Sequence, residues 1–179
     1  MTLQKKICML GSFGVGKTSL VSQFVHSIFS EKYLSTIGVK IDKKVVPLAR
    51  DRDVNLILWD LAGDDHFDRL KSSYLKGSSG FLLVVDGCRR ETLTVAEGIV
   101  ERESESLGGL PFVCVINKAD LEVDWEVQPE DIARLRAKGW EVVALSASWK
   151  DQVDDLFTRF AARITRSSAA TAQPATLAR

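Results

Sequence analysis

The sequence is short of the residues that mark secreted, fibrous and membrane-spanning chains. Its 179 residues include three cysteines, four prolines and two histidines. Cys8, Cys88 and Cys114 have neither disulfide-framework nor metal-ligand spacing. They read as reduced, small core residues of a cytoplasmic protein. No apolar run approaches the ~20 residues of a membrane helix. No signal-peptide core follows "MTLQKK", and Thr2 stands where myristoylation needs glycine. The last residues, "AATAQPATLAR", hold no cysteine, so no prenyl anchor is expected. Neither sign of charge is in excess, with 24 acidic and 24 basic residues. A nucleic-acid partner therefore has no electrostatic support.

Apolar runs alternate with helical patterns. "KKICML" (5–10) reads as a buried strand, and "KTSLVSQFVHSIF" (17–29) as a helix with Leu20, Phe24 and Ile28 on one face. "VKIDKKVVPL" and "VNLILWD" flank the polar turn "ARDRD" and read as an antiparallel hairpin. "GFLLVVD" and "PFVCVIN" are continuous apolar runs, as buried parallel strands require. A helix is expected between the hairpin and "GFLLVVD"; "ETLTVAEGIVERESESLG", "PEDIARLRAKG" and "DQVDDLFTRFAARITR" read as further helices, and "WEVVALS" as the last strand. The expected fold is three-layer α/β. It has a six-stranded, mostly parallel sheet with one antiparallel edge strand and five helices. The domain is expected to span 1–166. A disordered tail of small residues is expected over 167–179.

Residues 11–18, "GSFGVGKT", lie between a strand and a helix and fit G-x-x-x-x-G-K-[ST]. Glycines let backbone wrap a phosphate, and successive N–H groups form an anion nest at a helix N-terminus. Gly14, Val15, Gly16, Lys17, Thr18 and Ser19 are the expected phosphate-binding residues. The Lys17 ammonium reaches the β- and γ-phosphates, and the Thr18 hydroxyl ligates Mg²⁺. "NKAD" (117–120) follows a buried strand at the carboxyl edge, where α/β sheets bind ligands. The Asp120 carboxylate can accept both the N1–H and the N2–H₂ of guanine. Against adenine it would be left unpaired, at ~1–3 kcal/mol or more.

These motifs together resemble a Ras-superfamily small GTPase, closest to the Rab branch, over about residues 3–165. "YLSTIGV" (33–39) resembles switch I, "WDLAG" (59–63) the strand leading to switch II, and "SAS" (146–148) the second guanine-reading motif. The resemblance implies a phosphate-loop G domain that binds GTP or GDP with Mg²⁺. It implies Thr36 and Asp60 as further metal-site residues, and the Gly63 N–H as a sensor of the γ-phosphate. Phe29 and Tyr33 would cover the base and the phosphates. Asn117 and Lys118 would brace the base site with Ser146, Ala147 and Ser148, the Ala147 N–H reaching guanine O6. Effectors and regulators (an activator and an exchange factor) would dock on a monomer at switch I and switch II, on Ile37, Val39, Ile41, Trp59 and Tyr74. Without a lipidation site the chain resembles non-prenylated members such as those of bacteria.

The chain departs from the family on the hydrolytic side. Phe13 stands where the family has glycine or another small residue, Leu61 where it has threonine, and Asp64 where it has the water-orienting glutamine. Lys17, Thr36, Gly63 and Asp64 are the expected catalytic set. Asp64 is shorter than glutamine, and when ionised it cannot donate. Slow intrinsic hydrolysis is therefore expected, unless Asp65 or His66 helps Asp64 hold the water. A nearly non-hydrolysing GTP-binding interaction module is the alternative. A phosphate-loop ATPase or kinase is opposed by "NKAD" with "SAS".

Overall fold

The computed structural model describes residues 3–30, 36–48, 52–62 and 72–171. Its strands are β1 (Leu3–Leu10), β2 (Val39–Leu48), β3 (Arg52–Leu61), β4 (Gly80–Asp86), β5 (Phe112–Asn117) and β6 (Val142–Ala144). They form one sheet in the order β2-β3-β1-β4-β5-β6. β2 pairs with β3 antiparallel, and every other pairing is parallel. The α/β fold with one antiparallel edge strand is the one expected.

Side chains alternate across the sheet, so β1 sends Ile7 and Met9 to one layer and Cys8 and Leu10 to the other. The first layer is closed by α1 (Lys17–His26) and α6 (Lys150–Thr171), whose Phe24 and Phe157 rings stack 4.2 Å apart. Such a pair adds about 0.5–1.5 kcal/mol to its area burial. The second layer is closed by α3 (Glu91–Arg102), α4 (Ser104–Leu107) and α5 (Pro129–Ala137), through Leu93, Ile99, Leu107 and Leu135. A single turn, α2 (Ser72–Leu75), precedes β4, and a 3₁₀ turn spans Glu122–Asp124.

Several sequence expectations need correction. The described residues hold six α-helical segments where five were expected, because the helix after β4 breaks at Glu103 and restarts as α4. Helix α1 ends at His26, three residues early. Ser27 takes a left-handed conformation (φ 55°), its N–H reaches Gln23 O, and the Ile28 N–H reaches Ser22 O. That closes the helix end with a 6→1 bond, so Ile28 leaves the apolar face and is 59% exposed. Helix α6 runs to Thr171, past the boundary drawn at 166. Cys8 and Cys114 are buried, but Cys88 is only half-buried and lies in the loop after β4 rather than in the core.

The strand order places a topological switch at β1, whose neighbours β3 and β4 are reached in opposite directions. In such sheets ligands bind at the carboxyl ends of the strands on either side. The carboxyl ends of β1, β3, β4, β5 and β6 therefore lie at one edge of the sheet.

Candidate functional site

Gly11 and Gly16 shape the loop after β1. Gly11 has φ 143°, and a Cβ there would lie 2.3 Å from Val84 O. Gly16 has φ 101°, and its Cβ would lie 2.1 Å from Asn117 Nδ2. Only glycine gives both the conformation and the close approach. Gly16 also caps α1, which has neither a side-chain cap nor an acidic residue in its first turn. Its leading N–H groups thus form the kind of helix end that takes an anion. Lys17 is 6% exposed, and its ammonium donates to Gly11 O at 3.0 Å and Ser12 O at 2.8 Å. Gly14, Val15 and Ser19 complete the expected loop and first turn of α1, with Val15 fully buried.

Thr18, Thr36 and Asp60 come together from α1, the segment before β2, and β3. Thr18 Oγ1 lies 2.5 Å from Asp60 Oδ2 and 2.6 Å from Thr36 Oγ1, and Thr36 Oγ1 lies 3.4 Å from the same carboxylate oxygen. Asp60 is fully buried, and its Oδ1 has no hydrogen-bond partner. Burial pushes its carboxyl up, against hydrogen bonds from Thr18 and Thr36 and the charges of Lys17 and Lys40. A buried carboxylate oxygen without a partner, beside two hydroxyls, fits a hard cation with oxygen ligands. Among the described residues no cluster of three or more His, Cys, Asp or Glu could hold a metal.

Asn117 ends β5, 2% exposed. Its Nδ2 donates to Val15 O at 2.9 Å, and its Oδ1 accepts the Ala147 N–H at 2.9 Å. The Ala147 N–H expected for guanine O6 is thus held by Asn117. Ser148 N–H donates to Ser146 Oγ at 3.1 Å, and the two hydroxyls lie 2.7 Å apart, so "SAS" forms a self-bonded turn. Gln23 of α1 supports that turn through Ala147 O at 3.1 Å. Lys118 takes φ 71° and reaches Asp86 Oδ2 at 2.6 Å. Asp120 is exposed on the rim, and Phe29 is 43% exposed. Tyr33, Gly63, Asp64, Asp65 and His66 lie outside the described residues.

Sequence reasoning missed Asp86, Arg89 and Gln23. The signal for Asp86 was an acid closing the fully buried β4 at the carboxyl edge. A polar cavity of about 620 Å³ opens beside Lys118, lined by Asp86, Cys88, Arg89 and Trp125 among others. No helix among the described residues is long and apolar enough to cross a membrane.

On the other side, Lys6 Nζ donates to Tyr74 O at 2.6 Å and Lys76 O at 2.8 Å, and sits 3.9 Å from the Trp59 ring centroid. That cation–π contact holds Trp59 and Tyr74 as neighbours, centroids 6.3 Å apart. Ile41 pairs with Trp59 across β2 and β3, and Ile37 and Ile41 are 94% and 48% exposed.

The model of the Ras family matches residues 6–166. Among curated proteins, the chain is 38% identical over 125 residues to Ras-related protein Rab-32A of Dictyostelium discoideum, covering 66% of this chain and 57% of that protein. The chain thus spans little more than half the length of that relative. It is 31% identical over 156 residues to GTP-binding protein Rab-3D of Rattus norvegicus, covering 86% of this chain and 71% of that one. It is also 31% identical over 150 residues to GTP-binding protein ypt1 of Schizosaccharomyces pombe, covering 83% and 73%. The chain belongs to the Ras superfamily, as a small GTPase of the Rab-like kind.

Proposed function

We propose that the protein is a guanine-nucleotide switch that hydrolyses GTP slowly and signals to protein partners through switch I and switch II. The observation that carries the reading is the meeting of three groups at one sheet edge: the glycine-shaped loop with Lys17, the Thr18–Thr36–Asp60 cluster, and Asn117 with Lys118 and "SAS". Thr18, Thr36 and Asp60 would hold Mg²⁺. Mg²⁺ held there would supply positive charge against the phosphates. Lys17 and the N–H groups of residues 14–19 take the phosphate chain. Asp120 reads the guanine edge, which requires its exposed carboxylate to close on the base. The Ala147 N–H must share or exchange its bond to Asn117 to reach a base oxygen.

Thr36 and the Gly63 N–H would report the presence of the γ-phosphate. Their release after hydrolysis loosens the two switches and dissolves the docking face around Ile37, Val39, Ile41, Trp59 and Tyr74. The three free thiols fit a reducing cytoplasm, and we take the working form to be a monomer.

Slow hydrolysis follows from two side chains. Phe13 is 40% exposed in the phosphate loop, where a partner's arginine and the water-orienting residue must approach. Asp64 brings a carboxylate where the family has a neutral glutamine, and when ionised it lacks that residue's donor. In Ras-type enzymes an arginine finger adds roughly 10⁵-fold, and Phe13 obstructs that route.

Single-turnover GTP hydrolysis by the wild type, Phe13→Gly, Asp64→Gln and the double variant tests this. The expected result is a slow wild type and a double variant roughly tenfold faster or more. A wild type at an ordinary small-GTPase rate, unchanged by Asp64→Gln, would sink the assignment of Asp64. A wild type with no turnover at all favours a constitutively GTP-bound module.

A further inference from the structure

Phe13 contributes its carbonyl as well as its ring. Arg89, in the loop after β4, donates from Nη2 to Phe13 O at 2.7 Å across 76 residues of sequence. Its Nε donates to Asp86 Oδ2 at 2.9 Å. The same oxygen accepts Lys118 Nζ at 2.6 Å, and Asp86 Oδ1 accepts the Cys88 N–H at 3.0 Å. Asp86 is 1% exposed. Burial pushes its carboxyl up, but the bonds from Lys118, Arg89 and the Cys88 N–H outweigh that and hold it below the usual range. A charged, fully bonded carboxylate thus anchors both a residue of the guanine-reading motif and a guanidinium that touches the phosphate loop.

Peptide geometry gives the touch a consequence. No described peptide bond is cis. In a planar trans peptide the carbonyl and the next N–H point to opposite sides. Fixing the Phe13 carbonyl on Arg89 therefore fixes the direction of the Gly14 N–H. Gly14 has φ 70°, and glycine makes rotation of this peptide cheap unless something outside the loop restrains it.

We propose that Arg89 is a positioning residue for the phosphate chain. It bridges Asp86 and the Phe13 carbonyl, so the Gly14 N–H stays aimed at the phosphates and the phosphate loop is tied to Lys118 on the base side. The proposal rests on the guanine-nucleotide reading above. The bridge needs two donors in a fixed fork, which arginine supplies and lysine, as a single point charge, does not. Arg89 is 39% exposed and lines the cavity with Asp86 and Lys118. Solvent therefore moderates the effect.

The test is dissociation of mant-GDP in excess Mg²⁺ from the full chain: wild type, Arg89→Ala, Arg89→Lys, and Arg89→Ala in a Phe13→Gly background. The Gly14 amide resonance and the ³¹P resonances of bound GDP are recorded alongside. Arg89→Ala should release mant-GDP about tenfold faster, and Arg89→Lys should behave like it. The Gly14 and phosphate resonances should move in both. The same ratio should appear in the Phe13→Gly background, because the bond is to the main chain. Arg89→Lys keeps the test open should Arg89→Ala fail to fold. Wild-type off-rates and resonances in the variants, or full rescue by lysine, overturn the proposal while leaving nucleotide binding intact. A wild type that does not bind mant-GDP overturns the guanine reading itself, and the bridge with it.

Discussion

The floor of the site and its rim are built from opposite materials. On the floor, Lys17, Asp60, Asn117 and Ala147 are all 6% exposed or less, and each meets a backbone atom or a buried or half-buried polar group. On the rim, Phe13, Phe29, Ile37 and Val123 expose 40%, 43%, 94% and 100% of their surface. A buried polar group without its partner costs ~1–3 kcal/mol, so the floor tolerates no loss. An exposed apolar side chain costs the isolated domain little and becomes useful when a ligand or partner covers it. Changes to the floor should therefore abolish function or stability, and changes to the rim should tune rate and partner choice.

The largest expected effect is Gly16→Ala. Its Cβ would stand 2.1 Å from Asn117 Nδ2 at φ 101°, so the loop or Asn117 must move. Binding of mant-GDP, followed by fluorescence titration, should weaken by at least about a hundredfold. Near-normal affinity would show that the floor is more pliable than its packing suggests.

Asp60→Asn sharpens the comparison, because stability and function should part. Burial raises the Asp60 carboxyl, so the folded protein holds this proton more tightly than the unfolded chain does. In metal-stripped protein, ionising Asp60 therefore costs stability. The cost begins above the unfolded value and is complete above the raised folded value. At neutral pH, Asp60→Asn should melt about 2–4 °C higher, corresponding to roughly 1 kcal/mol. That advantage should vanish in acid. The same variant should lose the Mg²⁺ dependence of nucleotide retention. In the wild type, apparent Mg²⁺ affinity should fall as pH falls through the raised value, since the proton competes with the cation. A lower melting temperature in the metal-stripped variant would mean the carboxylate is satisfied without a cation.

The smallest effect concerns the thiols. Burial pushes Cys114 up to about 12, and it also raises Cys8. Cys88 is half-buried, and burial with the charge of Asp86 keeps its thiol above the usual range. A thiol-exchange reagent at neutral pH should label one cysteine slowly, Cys88, and leave the other two unreacted. Equal labelling of two or three thiols would show that the core layers open on the timescale of the assay.

The sequence carried the floor well and its connections poorly. Glycine spacing and buried strands are local signals, so the phosphate loop and the "NKAD" segment were legible at their positions, whereas Thr36 and Asp60 were singled out only through the family resemblance. The end of α1 was not, because its stop is Ser27 in a left-handed turn, where glycine would have been the visible marker. The break at Glu103 falls within a charged run that has no glycine or proline to announce it. The Arg89–Phe13 and Lys118–Asp86 bonds join loops 76 and 32 residues apart. Neither residue pair has a periodicity that would reveal the other.

Asn117 joins Val15 and Ala147, 102 and 30 residues away. Contacts of such separation are made only after the intervening chain has been closed, at an entropic cost. The turn of Ser146, Ala147 and Ser148 comes after β6, at the end of the last sheet pairing. A nascent chain lacking β6 would thus carry a phosphate loop with no turn to complete Asn117. Guanine nucleotide should accordingly bind late in folding and act as a reporter of a finished sheet.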